Sequence, residues 1–142
     1  VATNIDGWEA IGFPVKKPRR TWIATGHNST FTIQLSNLEM PINRLLVLYV
    51  KSYGLKWEAS QLEIVVEMTR AGENANDPAS PDWKELKRLN LEGTHDAKTS
   101  ISYSQHVDLG DYVKVGGSVR ATFTVVGGTI FQINGLALCH SE

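Results

Sequence analysis

Ser118-Val119-Arg120-Ala121-Thr122-Phe123-Thr124-Val125-Val126 alternates apolar and polar side chains, Gly127-Gly128 follows, and Thr129 to Leu138 reads as a second extended run. A period of two puts one set of side chains on a dry face and the other on a wet face, which marks a half-buried strand. A glycine pair between two such runs is a hairpin signal. The stretch therefore predicts two antiparallel strands joined at the glycines, with Phe123, Val125 and Ile133, or their alternates, turned inward.

The same pattern extends outward through the chain. Phe31, Ile33 and Leu35 alternate with Thr30, Thr32 and Gln34. Leu62, Ile64 and Val66 oppose Glu63 and Glu67, and Ile101, Tyr103, Gln105 and Val107 share one face. Thr21 to Thr25 is a short strand, and Gly26-His27-Asn28-Ser29 is a turn cluster. Arg44 to Lys51 is apolar on both faces, so it predicts an interior strand with Leu46, Leu48 and Val50 buried and Leu62, Ile64 and Val66 on its partner strand. Trp83, Leu86 and Leu89 lie three apart, which suits either a helical turn or an irregular edge strand. Residues 70 to 82 are rich in Gly, Asn, Asp, Ser and Pro and read as a long loop. About eight short strands separated by turn signals predict an all-β fold, a two-layer antiparallel β-sandwich of jelly-roll type. A chain of 142 residues fits a single domain over residues 1–142. It opens at Val1 without a methionine, which suggests a processed chain or part of a longer one.

The net charge of −1, from 14 basic and 15 acidic residues, provides no overall field toward nucleic acid or anionic lipid. Lys16-Lys17-Pro18-Arg19-Arg20 is the local exception, and such runs are ordinarily solvated loops. No apolar stretch approaches the 18 residues of a membrane span. Cys139 is the single cysteine, so no internal disulfide forms. Asn28-Ser29-Thr30 is a glycosylation sequon, placing Asn28 as a candidate acceptor in a secreted, lumenal or cell-surface setting.

Catalytic signatures are missing. The sequence has no P-loop, no dinucleotide glycine fingerprint and no Gly-x-Ser-x-Gly elbow. His27, His95, His106 and His140 are scattered, with no two at zinc-ligand spacing. Cys139 and His140 adjoin on a strand end, where their side chains diverge. Glu63 and Glu67 read as a solvated strand face rather than an acid–base pair. The loop Glu73-Asn74-Ala75-Asn76-Asp77, with Asp82 beyond it, offers oxygens for a structural calcium through Asn76, Asp77 and Asp82, at a spacing that matches no EF-hand. No other cofactor is indicated.

The aromatic residues are more informative. Tryptophan is highly buried on average, so a core plug is its ordinary role. Near a loop and beside polar groups it can instead stack on a sugar ring or a partner surface. Tyr53 and Trp57, with Lys56 and Glu58 beside them, lie within six residues in the connection after the most apolar strand. Trp83, flanked by Asp82 and Lys84, is the second choice. These five residues, Tyr53, Lys56, Trp57, Glu58 and Trp83, are the candidate ligand-binding set.

Three short segments carry a family resemblance. Gly7-Trp8-Glu9, Lys17-Pro18, Trp22-Ile23-Ala24-Thr25 and Ser29-Thr30 resemble the opening of the C-terminal β-rich region of plant and algal proteins with an SGNH (GDSL-type) hydrolase-like N-terminal part. Leu48-Tyr49-Val50-Lys51-Ser52-Tyr53 resembles that region's Tyr-Leu-(Arg/Lys)-Ser-Tyr segment, and Phe131-Gln132-Ile133-Asn134-Gly135-Leu136 its closing strand. Leu55-Lys56-Trp57 departs from it where a glycine-rich turn is expected, and cysteines are fewer. The resemblance implies an extracytoplasmic accessory domain and transfers no hydrolase residue, since no Gly-Asp-Ser motif is present.

Three classes of function follow. A non-catalytic binding or accessory module, with a glycan or protein partner, expects an exposed aromatic in a shallow groove. A structural or assembly subunit expects a broad apolar patch. An enzyme with a dispersed site expects a cleft with clustered titratable groups.

Overall fold

A computed structural model describes residues 2–12, 20–69 and 83–140. Ten strands form two five-stranded antiparallel sheets packed face to face. The first sheet contains β1 (Ala2–Asp6), β4 (Thr30–Leu35), β9 (Ser118–Gly127), β6 (Gln61–Thr69) and β7 (Lys84–Glu92), in that spatial order. The second contains β2 (Trp8–Gly12), β3 (Arg20–Ala24), β10 (Phe131–Cys139), β5 (Ile42–Lys51) and β8 (Ile101–Val113). This is the all-β jelly-roll sandwich that the alternation predicts.

The inward set of each strand closes one core between the sheets. Leu62, Ile64 and Val66 of β6 are fully buried, as are Val119, Phe123 and Val125 of β9. Across from them stand Leu45, Val47 and Tyr49 of β5 and Phe131 and Ile133 of β10. Phe31 anchors an aromatic column: it stacks on Phe123 at 4.7 Å and on Trp22 at 5.4 Å, and meets the edge of Trp8 at 4.9 Å.

Gly127-Gly128 does not close a hairpin. β9 pairs with β4 and β6, whereas β10 pairs with β3 and β5, so the glycines carry the chain from one sheet to the other. Their smallness serves close approach rather than a two-residue turn. A Cβ on Gly127 would stand 2.5 Å from the Ala59 carbonyl oxygen, and one on Gly128 would stand 2.7 Å from that of Glu58. Gly128 also has φ +67°, a region side chains disfavour.

The core of β5 is likewise corrected. Leu45, Val47 and Tyr49 face inward; Leu46 and Leu48 face out, opposite His106 and Ser104, and Leu48 is 39% exposed. Of the three residues expected to be buried, only Val50 is, and it lies on the outer side opposite Ser102. Cross-strand neighbours share a face, so the pairing decides what a two-sided apolar run leaves ambiguous. Leu62, Ile64 and Val66 are buried as expected, but they lie in the facing sheet rather than beside β5.

The segment after Trp83 is the edge strand β7, not a helical turn. A register shift opposite Val66 and Glu67 inserts one residue, so Leu86 and Leu89 both pack against the core despite their spacing of three. At the opposite edge, β8 bulges at Gly110 (φ +78°). There Asp108 accepts from the Gly110 amide at 2.8 Å and Asp111 from the Tyr112 amide at 2.7 Å.

Candidate functional site

Strand direction sorts the loops onto two ends. The connections 25–29, 52–60, 93–100 and 128–130 meet at one end, because β3, β5, β7 and β9 all finish there. The connection 52–60 is the most structured of them. Gly54, at φ +85°, opens a short 3₁₀ turn, Leu55–Trp57. Its backbone bonds run from Trp57 to Gly54 at 3.0 Å, from Glu58 to Leu55 at 3.2 Å and from Ser60 to Trp57 at 3.1 Å.

The turn is tied down at both ends. The Ser52 amide donates to the Gly93 carbonyl at 3.0 Å, His95 donates to Ser52 at 3.0 Å, and Gly93 donates to Ser60 at 2.9 Å. Ser60 Oγ donates to the Ile130 carbonyl beneath, and Ser52 Oγ meets Ser100 Oγ at 2.8 Å. The backbone of this turn is anchored at Ser52 and Ser60 by main-chain bonds to residues 93–95 and by side-chain bonds to Ser100 and Ile130, and a backbone fixed in this way leaves less to order on binding.

Tyr53 is 45% exposed and Leu55 89%, with Lys56 and Glu58 also exposed and Trp57 half-buried. Four of the five candidate residues thus share one rim, with aromatic and apolar surface beside charged hydrogen-bonding groups. Next to it, His95 Nε2 donates to the Thr99 carbonyl at 2.6 Å, so in the neutral ring Nδ1 accepts from the Tyr103 hydroxyl at 3.3 Å. Lys51 Nζ stands 4.8 Å from the centre of the Tyr103 ring. Sequence spacing does not reveal His95 as a neighbour of the rim, because it arrives on the separate 93–100 connection, whereas Lys51 leads directly into the rim from the end of β5.

Trp83 is not part of this rim. It precedes β7 at the far end of the sandwich, half-buried. The Arg120 guanidinium lies over its indole, and Arg120 grips Glu67 through Nε at 2.9 Å and Nη2 at 3.1 Å. Trp8 and Trp22 belong to the core, and the Trp8 Nε1–H is buried without an acceptor among the described residues.

The calcium candidates Asn76, Asp77 and Asp82, and most of the basic run 16–20, lie outside the described residues. Among the described residues, no three His, Cys, Asp or Glu side chains converge as a metal centre. Asn28 is exposed at the rim end, at φ 65°, with its amide bonded to the Val125 carbonyl at 2.8 Å.

No protein-family model and no curated protein matches the chain. Solved structures do. A family 16 carbohydrate-binding module superposes with a TM-score of 0.56 at 9% identity, over 95% of this chain and 86% of that one. A β-1,3-glucan-binding family 6 module from Bacillus halodurans gives 0.53 at 13% identity, over 97% and 90%. The fold is the sandwich of these modules. It is a scaffold with other uses: the K1 cleaved adhesin domain of Lys-gingipain from Porphyromonas gingivalis shares it, with a TM-score of 0.55 at 9% identity over 99% of this chain and 87% of that one. At such identities the likeness is one of fold, and fold alone assigns no ligand.

Proposed function

We propose that this chain is a non-catalytic glycan-binding module that holds its ligand at the 52–60 rim. The observation that carries the reading is the exposed ring of Tyr53 on a turn fixed by main-chain bonds, with Trp57, Lys56 and Glu58 on the same turn. The apolar face of a pyranose packs on such a ring, and flanking charged groups hydrogen-bond its hydroxyls. The shared sandwich, found in modules whose names state carbohydrate binding, supports the same reading.

The neighbourhood is poorly suited to catalysis. Both ring nitrogens of His95 are engaged, by Thr99 and by Tyr103, so it has no free position for a substrate proton. Assembly through a broad apolar face is also disfavoured among the described residues. Exposed large apolar side chains are split between the ends: Leu35, Met40, Tyr112 and Val115 at one, Tyr53, Leu55 and Ile101 at the other, with Leu48 on a sheet face between them. A setting outside the cytoplasm, beside a separate catalytic domain as the accessory-region resemblance implies, suits a module of this kind. No helix of the described residues is long and apolar enough to cross a membrane.

The test is a glycan array with the isolated chain, repeated with Tyr53→Ala and Trp57→Ala. Binding that both substitutions weaken supports the reading, and an array with no positive spot refutes it.

A further inference from the structure

Among the described residues, four strands form the edges of the two sheets, and they are not guarded alike. β1 and β2 are five residues each. β7 has nine residues, of which Lys84, Glu85, Lys87, Arg88 and Glu92 are charged, and a register shift breaks its line. Charges and bulges of this kind keep a free edge from recruiting another strand. β8 is different. At thirteen residues it is the longest strand among the described residues, and among them it pairs along its length only with β5. From Ile101 to Val107 it carries no Lys, Arg, Asp, Glu or Pro. Its register against β5 runs without a shift from Ile101 to Asp108, an uninterrupted edge of about 20 Å. Guarding returns only beyond that run, where Gly110 lies between Asp108 and Asp111 at the bulge.

The open run is complementary to itself. Ser102, Ser104 and His106 stand on the outer face opposite Val50, Leu48 and Leu46, while Tyr103 and Val107 turn toward the core. An antiparallel two-fold through Ser104 keeps these faces matched between two copies, because cross-strand partners share a side. It sets Ser104 against the copy's Ser104, Ser102 against its His106, Tyr103 against its Gln105 and Ile101 against its Val107. Polar side chains meet polar ones, the two aliphatic side chains meet each other, and no like charges are opposed. Beyond the run the order of charges is complementary as well. Outward from the two-fold, one copy presents Lys98 and then Asp96, where the other presents Asp108 and Asp111 and then Lys114. All five are exposed, and the symmetry gives each match twice.

We infer that β8 is a docking edge for a second copy of this chain, which adds its own β8 antiparallel and joins two five-stranded sheets into one of ten strands. In such an addition main-chain hydrogen bonds supply the affinity, and the side-chain pairs select the register. Antiparallel pairing sends the two 52–60 rims in opposite directions, since each rim lies at the end where β8 begins. On the glycan-binding reading, on which this one consequence rests, the dimer engages two separate polymer molecules and does not grip one molecule at two points. The pairing of the copies is independent of that reading.

Sedimentation equilibrium of the intact chain tests the pairing without any sugar. At about 100 µM the expected mass is twice the chain's 15.7 kDa. Ser104 is exposed, so Ser104→Lys and Ser104→Glu should each fold, as thermal melting checks, while placing like charges face to face on the axis. Each variant alone is expected at 15.7 kDa, and a 1:1 mixture of the two is expected to return to twice that mass, because opposite charges then meet on the axis. A parent chain that stays at 15.7 kDa at this concentration overturns the inference. So does a dimer that both substitutions leave intact, which places the interface elsewhere. Monomeric variants that fail to associate on mixing overturn the pairing through Ser104. None of these results bears on the rim, and a glycan array without a positive spot leaves the pairing standing.

Discussion

The Arg120 guanidinium lies 4.1 Å from the centre of the Trp83 ring while the two donors of one edge, Nε and Nη2, are bound to the Glu67 carboxylate. Each contact orders the others. The fork fixes the plane of the guanidinium, and that plane sets where the indole rests. Arg120→Lys keeps the charge but loses the fork, so we expect it to destabilise the fold by about 1 kcal/mol in urea denaturation, close to the cost of Trp83→Ala. A lysine variant as stable as the parent would show that the fork contributes nothing.

The two faces of β5 make a paired test of the core. Leu45 is buried, so Leu45→Ala should cost about 2–5 kcal/mol. Leu48 points outward at 39% exposure, and Leu48→Ala should cost about 1 kcal/mol or less. Chemical denaturation of both variants checks the order, and equal losses would contradict the assignment of faces.

Gly128→Ala strains a backbone at φ +67° and drives a Cβ against the Glu58 carbonyl. We expect a loss of about 2 kcal/mol or more in stability, together with weaker ligand binding, because the displaced carbonyl belongs to the rim turn. Thermal melting and array binding measured on the same sample would show whether the two losses travel together.

At the rim, Tyr53→Ala removes an exposed ring that packs little of the core. Glycan affinity should fall about tenfold, or about 1.4 kcal/mol, with the melting temperature nearly unchanged. If Tyr53→Ala melts the fold instead, Tyr53 is a structural residue and the stacking role passes to Trp57.

Burial, with Tyr103 and Glu92 nearby, raises the pKa of the Tyr49 phenol above its ordinary 10.0. The folded state therefore holds this proton more tightly than the unfolded state. Its contribution is complete below pH 10 and is lost as pH rises through the higher folded value. Tyr49→Phe should flatten the fall in stability above pH 10, as read from denaturation midpoints across the alkaline range.

Periodicity made the two-faced character of most strands legible, because alternation is a local property: of the two sets on β9 and β10, the one with Phe123, Val125 and Ile133 is inward. Partners were not legible. Gly127-Gly128 looks the same in sequence whether it turns a hairpin or threads beneath Glu58 and Ala59, and only the tertiary contact distinguishes the two. Leu46 and Leu48 misled for the same reason, since a strand apolar on both sides does not declare which side meets the other sheet. The rim cluster was visible because Tyr53 to Glu58 are contiguous. The contact between Thr30 and Thr124 was not, because they lie 94 residues apart and meet only through the pairing of β4 with β9.

Of the nine connections between the described strands, only β2–β3 and β6–β7 join strands of the same sheet; the other seven join strands of different layers. Neither layer can therefore be assembled ahead of the other, since most new strands land opposite the last one rather than beside it. Loop closure must be met before most pairings form, which places this chain among slow-folding all-β topologies, in the millisecond-to-second range. It also makes β10 a late arrival on which its sheet depends: until it inserts between β3 and β5, that sheet is two separate pieces with open edges. A nascent chain that stalls before residue 131 would expose both edges at once, and aggregation during synthesis is the vulnerability this order of strands creates.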